Sequence, residues 1–364
     1  MNIKASIISP IIALLLLGAL QAQKYEAELY VEGIEIPWGM AWLPNGDMLV
    51  TERSGSLYLI REGNIVTTIG NVPADIDVNG QGGFLDIEVH PNYSKNGWIY
   101  MSYSSKSGEK RGSNTAIIRA KLNGSNLSDI ELLYKATPNT RRGQHYGSRI
   151  AFDNQGYLFF TIGDRGNRNE FPQDVSKDGG KVYRLHDDGT VPVDNPFIDQ
   201  ENAIPAVWSY GHRNPQGMEM NPSSGVMWIH EHGPRGGDEV NIIQPGANYG
   251  WPILSFGINY IGTSFAEGTY REGMESPVTY WDPSIAPSGM TFVTSDIYPE
   301  WKGHLLVGSL KFAHIQLLTL NGENVMDKKE LLPGIGRVRS LKQGPDGLIY
   351  VGISGSGIYR IKPS

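Results

Sequence analysis

A glycine-ended turn followed at once by a short apolar, β-branched or aromatic run occurs six times along this chain, and no other feature restricts the fold as much. The turns are Asn45-Gly46, Asn96-Gly97, Gln155-Gly156, Ser224-Gly225, Lys302-Gly303 and Asp346-Gly347. Gly97 leads into Trp98-Ile99-Tyr100-Met101, and Gly347 into Leu348-Ile349-Tyr350-Val351. Four turns have a proline on the approach, at Pro44, Pro91, Pro222 and Pro345. The glycines stand 51, 59, 69, 78 and 44 residues apart, a repeat of supersecondary size. No amphipathic run of helical period accompanies them.

A repeat of strands and turns alone predicts an all-β fold, a β-propeller of four-stranded antiparallel blades around a channel. Six copies predict six blades. Residues 23–46 and 347–364 together supply about 40 residues, the size of one blade repeat. The two termini are therefore expected to share a blade, sealing the ring and hiding its edges. A β-sandwich with coincidental turns is the competing all-β fold, but sandwiches usually run to about 100 residues. The 69- and 78-residue intervals exceed a bare blade by roughly 25–35 residues. Such excess goes into loops, so residues 156–303 are expected to build much of the functional face.

Composition narrows the function classes. With 45 Gly and 22 Pro in 364 residues, the chain is turn-rich. It has no cysteine, which removes disulfides, thiolate catalysis and cysteine-based metal centres. A net charge of −7 without a long basic run argues against a nucleic-acid partner. Lys4, the apolar stretch 7–20 and Gln21-Ala22-Gln23 form the pattern of a secretory signal peptide. The stretch is short for a membrane span, which needs about 20 residues; an uncleaved anchor is the alternative. We expect residues 1–22 to be a cleaved signal peptide and 23–364 a single propeller domain, periplasmic or secreted and not inserted in a membrane.

Four segments carry side chains suited to chemistry. In Gln144-His145-Tyr146-Gly147-Ser148-Arg149 a histidine precedes the apolar stretch 150–152. Its neutral imidazole suits removal of a hydroxyl proton, although a lone histidine is more often a hydrogen-bonded structural residue. Arg213 and Asn214, ahead of Pro215, form a polar corner able to bind an oxyanion or carbonyl; an ion pair and a turn cap are the plainer reading. In the stretch 230–239, Gly233-Pro234 offers backbone carbonyls and Asp238 and Glu239 offer carboxylates, the oxygen ligands that Ca²⁺ takes. A solvated turn fits the same residues, and a zinc site at His230 and His232 lacks a supporting pattern. Arg337 and Arg339 fall on one face of a strand, and Lys311 follows the apolar run 305–310. These cations are either solvated or gathered for a ligand with several carboxylates.

Taken in order, these motifs resemble the soluble aldose (glucose) dehydrogenases that use pyrroloquinoline quinone (PQQ), most closely the aldose sugar dehydrogenase branch. The resemblance spans roughly residues 36–362 and implies a six-bladed propeller. It implies that His145 is the general base and that Arg213 and Asn214 contact the quinone. Gln81, Tyr260, Ser284, Lys311, Arg337 and Arg339 would complete the cofactor cradle. Gly233 and Pro234 would offer carbonyls to the Ca²⁺ that holds the quinone, and Glu239 and Tyr249 resemble a second calcium site.

The implied reaction is oxidation of an aldose at C1 to a lactone, with hydride passing to the quinone. Arg213 would stabilise charge developing on the quinone oxygen, and an external electron acceptor would restore the cofactor. A monomer or homodimer is expected. Three departures stand out: Ser148 replaces a glycine and Ser284 a threonine of the glucose enzymes, and Gln144 replaces the acid beside the base. On that ground nothing is expected to raise the basicity of His145. The loops 165–171 and 263–273 are too ordinary to predict sugar selectivity. The rivals are a non-catalytic ligand-binding propeller and a calcium-dependent lactonase propeller.

Overall fold

All six glycines of the repeat have positive φ, between 70° and 89°. That left-handed backbone costs glycine no steric clash and turns the chain tightly between two antiparallel strands. Each turn joins the first and second strands of a four-stranded sheet, and the computed structural model, which describes residues 25–364, contains six such sheets. Among the described residues one helical turn, Tyr93–Asn96, interrupts the all-β pattern. The expected six-bladed propeller of four-stranded antiparallel blades is the observed fold.

The first strands of the blades are Pro37–Trp42, Phe84–Val89, Ile150–Phe152, Pro215–Met220, Pro287–Phe292 and Val338–Gln343. They pack on one another around the channel. Outer strands such as Asn64–Thr68 and Asn324–Leu331 are mostly exposed. Between blades, side chains of facing sheets interleave; Trp228, Met290, Phe292, Leu305 and Val307 form one such cluster. Burial of each large apolar side chain contributes about 1.5–3 kcal/mol.

The termini close the ring as the sequence predicts. Strand Tyr25–Val31 is the outermost strand of the sixth blade and pairs antiparallel with Gly357–Pro363, from Tyr25 opposite Pro363 to Val31 opposite Ile358. The Tyr25 ring lies 4.3 Å from Trp301 and 5.4 Å from Tyr298, tying this strand to the fifth blade. The signal-peptide expectation for 1–22 lies outside the described residues. Among the described residues no helix is long and apolar enough to cross a membrane.

The blade hairpins also decide where chemistry can sit. In each, the start of the first strand faces the end of the second: Pro37 opposite Glu52, Pro215 opposite Glu231, Pro287 opposite Ser309, Val338 opposite Ile353. The loops entering first strands and those leaving second strands therefore meet at one end of the channel. In five blades the register shifts near this end of the first strand, as between Pro215 and Gly217. Such bulges bend the strand and re-aim its side chains.

Candidate active site

His145 sits in the loop entering the third blade's first strand, with a positive φ of 56°. Its backbone N–H donates to Oε1 of Gln81 (2.8 Å), from the loop entering the second blade. Its Nδ1 lies 2.7 Å from Oδ1 of Asp164, in the loop leaving the third blade's second strand. Asp164 is 1 % exposed and accepts two further hydrogen bonds, from Gly166 N–H (2.7 Å) and Trp251 Nε1 (2.8 Å). Burial would raise its pKa, but the contact with His145 and the charge of Arg213 hold the carboxyl below its usual value. Burial, aided by Arg213, lowers the pKa of His145 against the pull of Asp164. An ionised Asp164 accepting from a neutral imidazole assigns the proton to Nδ1 and leaves Nε2 with a free lone pair.

This geometry corrects one expectation. The basicity of His145 does have a support, Asp164, 19 positions further along the chain. Gln144 does not supply it; the Gln144 carbonyl instead accepts from Arg165. Arg165 is fully buried, lies over the Tyr146 ring at 3.3 Å and also donates to the Arg142 carbonyl (2.9 Å). It fixes the positive-φ loop that presents His145.

Beside this pair lies a cavity of about 980 Å³ over the channel mouth. It brings together Gln81, Asn214, Gly233, Pro234, Tyr260, Ser284, Lys311, Arg337 and Arg339, all singled out in the sequence. His145 and Arg213 line an adjoining cleft that shares Pro234 and Tyr260 with it. Arg213 is anchored by its backbone N–H to Oε2 of Glu231 (2.6 Å) and by its guanidinium to the His232 carbonyl (3.0 Å). Asn214, 1 % exposed, accepts from Gly147 N–H (3.1 Å). Ser284 donates to Oδ2 of Asp238 (2.6 Å). Tyr260, 72 % exposed, stands at the rim.

The cationic wall is strained electrostatically. Arg339 donates to Gln216 and Ser288 (both 3.2 Å), yet its buried Nε has no partner. Burial and the charges of Arg149, Arg337 and Arg53 push its pKa down to about 9. Sequence reasoning missed Arg53, which lines the same cavity and donates to the Gly80 carbonyl at 2.6 Å. A dianion or trianion in this cavity would relieve the repulsion and satisfy the orphaned donor, so these residues fit a ligand with several carboxylates.

Glu239 and Tyr249 lie behind Gly233, around a void of about 10 Å³ that Glu231 also lines. That is room for about one water or one ion. Burial and the neighbouring Glu231 charge raise the Glu239 pKa well above the ordinary range. The Tyr249 hydroxyl donates to the Ile242 carbonyl (2.5 Å) and accepts from Gln244 N–H (2.9 Å), so its backbone carbonyl is the oxygen to offer a cation. Two desolvated carboxylates side by side suit a hard divalent ion. His230 and His232 instead point Nε2 at the carbonyls of Gly289 (3.3 Å) and Pro287 (2.6 Å), in structural roles.

The fold and this mouth set a half-buried histidine, paired with a buried aspartate, beside a basin lined by cations. The family model described as Glucose / Sorbosone dehydrogenase matches residues 34–360. The chain is 41 % identical over 331 residues to Aldose sugar dehydrogenase YliI of Escherichia coli K12, covering 89 % of this chain and 88 % of that one. Its fold matches the crystal structure of the soluble E. coli aldose sugar dehydrogenase in the apo form, with TM-score 0.88 and 38 % identity over 93 % of this chain and all of that one. It also matches a PQQ-bound aldose sugar dehydrogenase from Streptomyces coelicolor, with TM-score 0.76 and 27 % identity over 94 % and 99 % of the two chains. The chain belongs to the glucose/sorbosone dehydrogenase family and is an oxidoreductase.

Proposed function

We propose that this protein is an exported quinoprotein that oxidises aldose sugars at C1 to lactones, with PQQ and Ca²⁺ as cofactors. The observation that carries the reading is the pairing of a carboxylate-oriented His145 with a basin in which the Arg339 Nε is buried and unsatisfied. Lys311, Arg337 and Arg339 would hold the three carboxylates of PQQ through charge-assisted hydrogen bonds. The carbonyls of Gly233 and Pro234 would hold one Ca²⁺ against it, and Glu239 with the Tyr249 carbonyl a second. Bound there, PQQ supplies the two-electron acceptor for hydride from the sugar, with Ca²⁺ as Lewis acid.

The protein's own part is placement and proton transfer. Nε2 of His145 takes the proton of the anomeric hydroxyl, and Asp164 stabilises the imidazolium that results. Arg213 directs positive charge at the place where negative charge develops. Gln81 sets the loop that carries the base, and Asn214 fixes Gly147 of the same loop. An external acceptor must then remove the electrons, and the leader 1–22 would place the enzyme in the periplasm or outside the cell. A basin lined by cations rather than by converging carboxylates favours this reading over a lactonase.

The test is reconstitution of purified protein with PQQ and Ca²⁺, following sugar-dependent dye reduction beside His145→Ala. Turnover that disappears in the variant supports the reading. Absence of both turnover and quinone binding would refute it.

A further inference from the structure

The cleft that holds His145 is more cationic than a neutral sugar requires. It measures about 390 Å³, and Arg142, Arg168, Asn259 and Tyr260 are in its wall. Arg142 and Arg168 do not line the larger cavity, where Lys311, Arg337 and Arg339 face the cofactor's place. Their charges are therefore not needed for PQQ.

Arg168 is held in position without being neutralised. Its guanidinium carbon lies 4.4 Å from the Phe265 ring centroid, and one N–H donates to Oδ1 of Asn259 (2.9 Å). Phe265 packs edge-on against Trp251 at 5.2 Å, and Trp251 donates to Asp164, the partner of His145. Arg168 is thus registered to the reacting end of the cleft through a short series of packed side chains. Arg142 donates to the Gly166 carbonyl, another neutral acceptor. Of the acids in the wall, Asp164 is committed to His145, and Glu170 is exposed. A guanidinium carries five N–H donors in a fixed fork that matches carboxylate or phosphate oxygens.

We propose that the cleft prefers aldoses bearing an anionic group, a uronate carboxylate or a sugar phosphate. Arg168 and Arg142 take the anion while the C1 hydroxyl lies at His145. This deepens the sugar-oxidation reading above and rests on it. The anion gains charge-assisted hydrogen bonds from the half-buried Arg168 and the exposed Arg142, whereas a neutral aldose leaves the two guanidinium groups with only neutral acceptors and water.

The experiment compares kcat/KM for glucose, glucuronate and glucose 6-phosphate on the reconstituted holoenzyme, at low and high salt. A preference of about tenfold or more for an anionic aldose is expected, shrinking as salt screens the charges. R168Q and R142Q should each lower the anionic-to-neutral ratio, and R168K should restore part of it. Preference for glucuronate alone assigns a carboxylate, and for the phosphate ester alone a phosphate. An anionic-to-neutral ratio of one or less, or one unmoved by either variant, overturns the proposal while leaving sugar oxidation standing. If glucose is not oxidised either, the function itself fails. Calorimetry of glucuronate and glucose 6-phosphate binding to the cofactor-free protein, with and without R168Q, then decides the anion site: no binding, or binding unchanged in the variant, overturns it.

Discussion

Asp164 holds Nδ1 of His145 at 2.7 Å while also accepting the indole N–H of Trp251 at 2.8 Å, so the imidazole is oriented by a residue that is itself fixed from the fourth blade's loop. Asp164→Asn keeps the shape but offers an amide in place of the charge, and can favour the wrong imidazole tautomer. We expect kcat to fall by about 10²- to 10⁴-fold, the usual worth of a positioned acid–base group. PQQ affinity, read by titration of the quinone absorbance, should change little, because Asp164 does not line the cofactor cavity. A comparable loss of affinity and kcat would mean that Asp164 merely supports the fold.

The pH dependence follows from the direction of the His145 shift. Burial and Arg213 lower its pKa below the ordinary histidine value. The working form is neutral, so kcat/KM should be flat through neutral pH and fall only on acidification, with an inflection below about 6.5. Asp164 opposes the lowering, so Asp164→Asn should move that inflection to still lower pH. An inflection above the ordinary value in the native enzyme would remove His145 as the base.

How far the sequence reached can be judged from these same residues. The six turn glycines were legible because a positive φ at a fixed place in a hairpin leaves few alternatives to glycine, and the blade count followed from them. His145, Arg213, Arg337 and Arg339 were legible because each sits in a short, dense motif. Asp164 was not, since its partner lies across a hairpin and sequence adjacency pointed to Gln144. Arg53 was hidden in an unremarkable Glu52-Arg53 pair. Both follow second strands, the same position as Lys311 and His232; the signal was the place in the repeat rather than the neighbouring residues. The loop 165–171, judged ordinary from sequence, contributes Arg168 and Asn167 to the cleft wall.

Arg339 should trade stability against cofactor binding. Its buried Nε lacks a partner, and its charge is crowded by Arg149 and Arg337. Arg339→Met removes that unfavourable charge while keeping much of the volume, so the cofactor-free protein should melt higher than the native chain. PQQ affinity should fall by roughly 10- to 100-fold, the worth of a hydrogen bond to a charged group. Differential scanning calorimetry and quinone titration read the two effects separately. A variant that melts lower without PQQ would show that the cation is structural.

Calcium should act on stability as well as on turnover. Glu231 and Glu239 face one small void, and the raised pKa of Glu239 expresses the cost of ionising both there. Without metal, a raised folded-state pKa means that stability declines as pH rises above the unfolded glutamate value, near 4.3. Added Ca²⁺ should raise the melting temperature most at neutral pH and above, by an amount set by its concentration over Kd; at a hundredfold excess this is about 2.7 kcal/mol. Glu239→Gln should raise the melting temperature of the chelator-treated protein and shrink its response to Ca²⁺. A response to Ca²⁺ undiminished by the variant would place the stabilising ion elsewhere.

Strand Tyr25–Val31 belongs by sequence to the start of the chain and by pairing to the last blade. Its hydrogen bonds to Gly357–Pro363 are those of an edge, while Tyr25, 8 % exposed, packs against both Tyr298 and Trp301 of the fifth blade. Those two rings stack at 4.8 Å, and the Tyr298 hydroxyl donates to the Ile361 carbonyl at 2.6 Å, so the fifth and sixth blades meet where Tyr25 docks. Removing the ring leaves a cavity at that junction. Tyr25→Ala should cost about 3–5 kcal/mol, the range for deleting a buried aromatic side chain, and Tyr25→Phe much less because the packing is retained. Urea unfolding checks the magnitude, and limited proteolysis near the N-terminus checks the mechanism. Early cleavage before residue 31 in Tyr25→Ala alone would show the strand leaving its blade; equal loss in both variants would assign the stability to the Tyr25 hydroxyl instead of its ring.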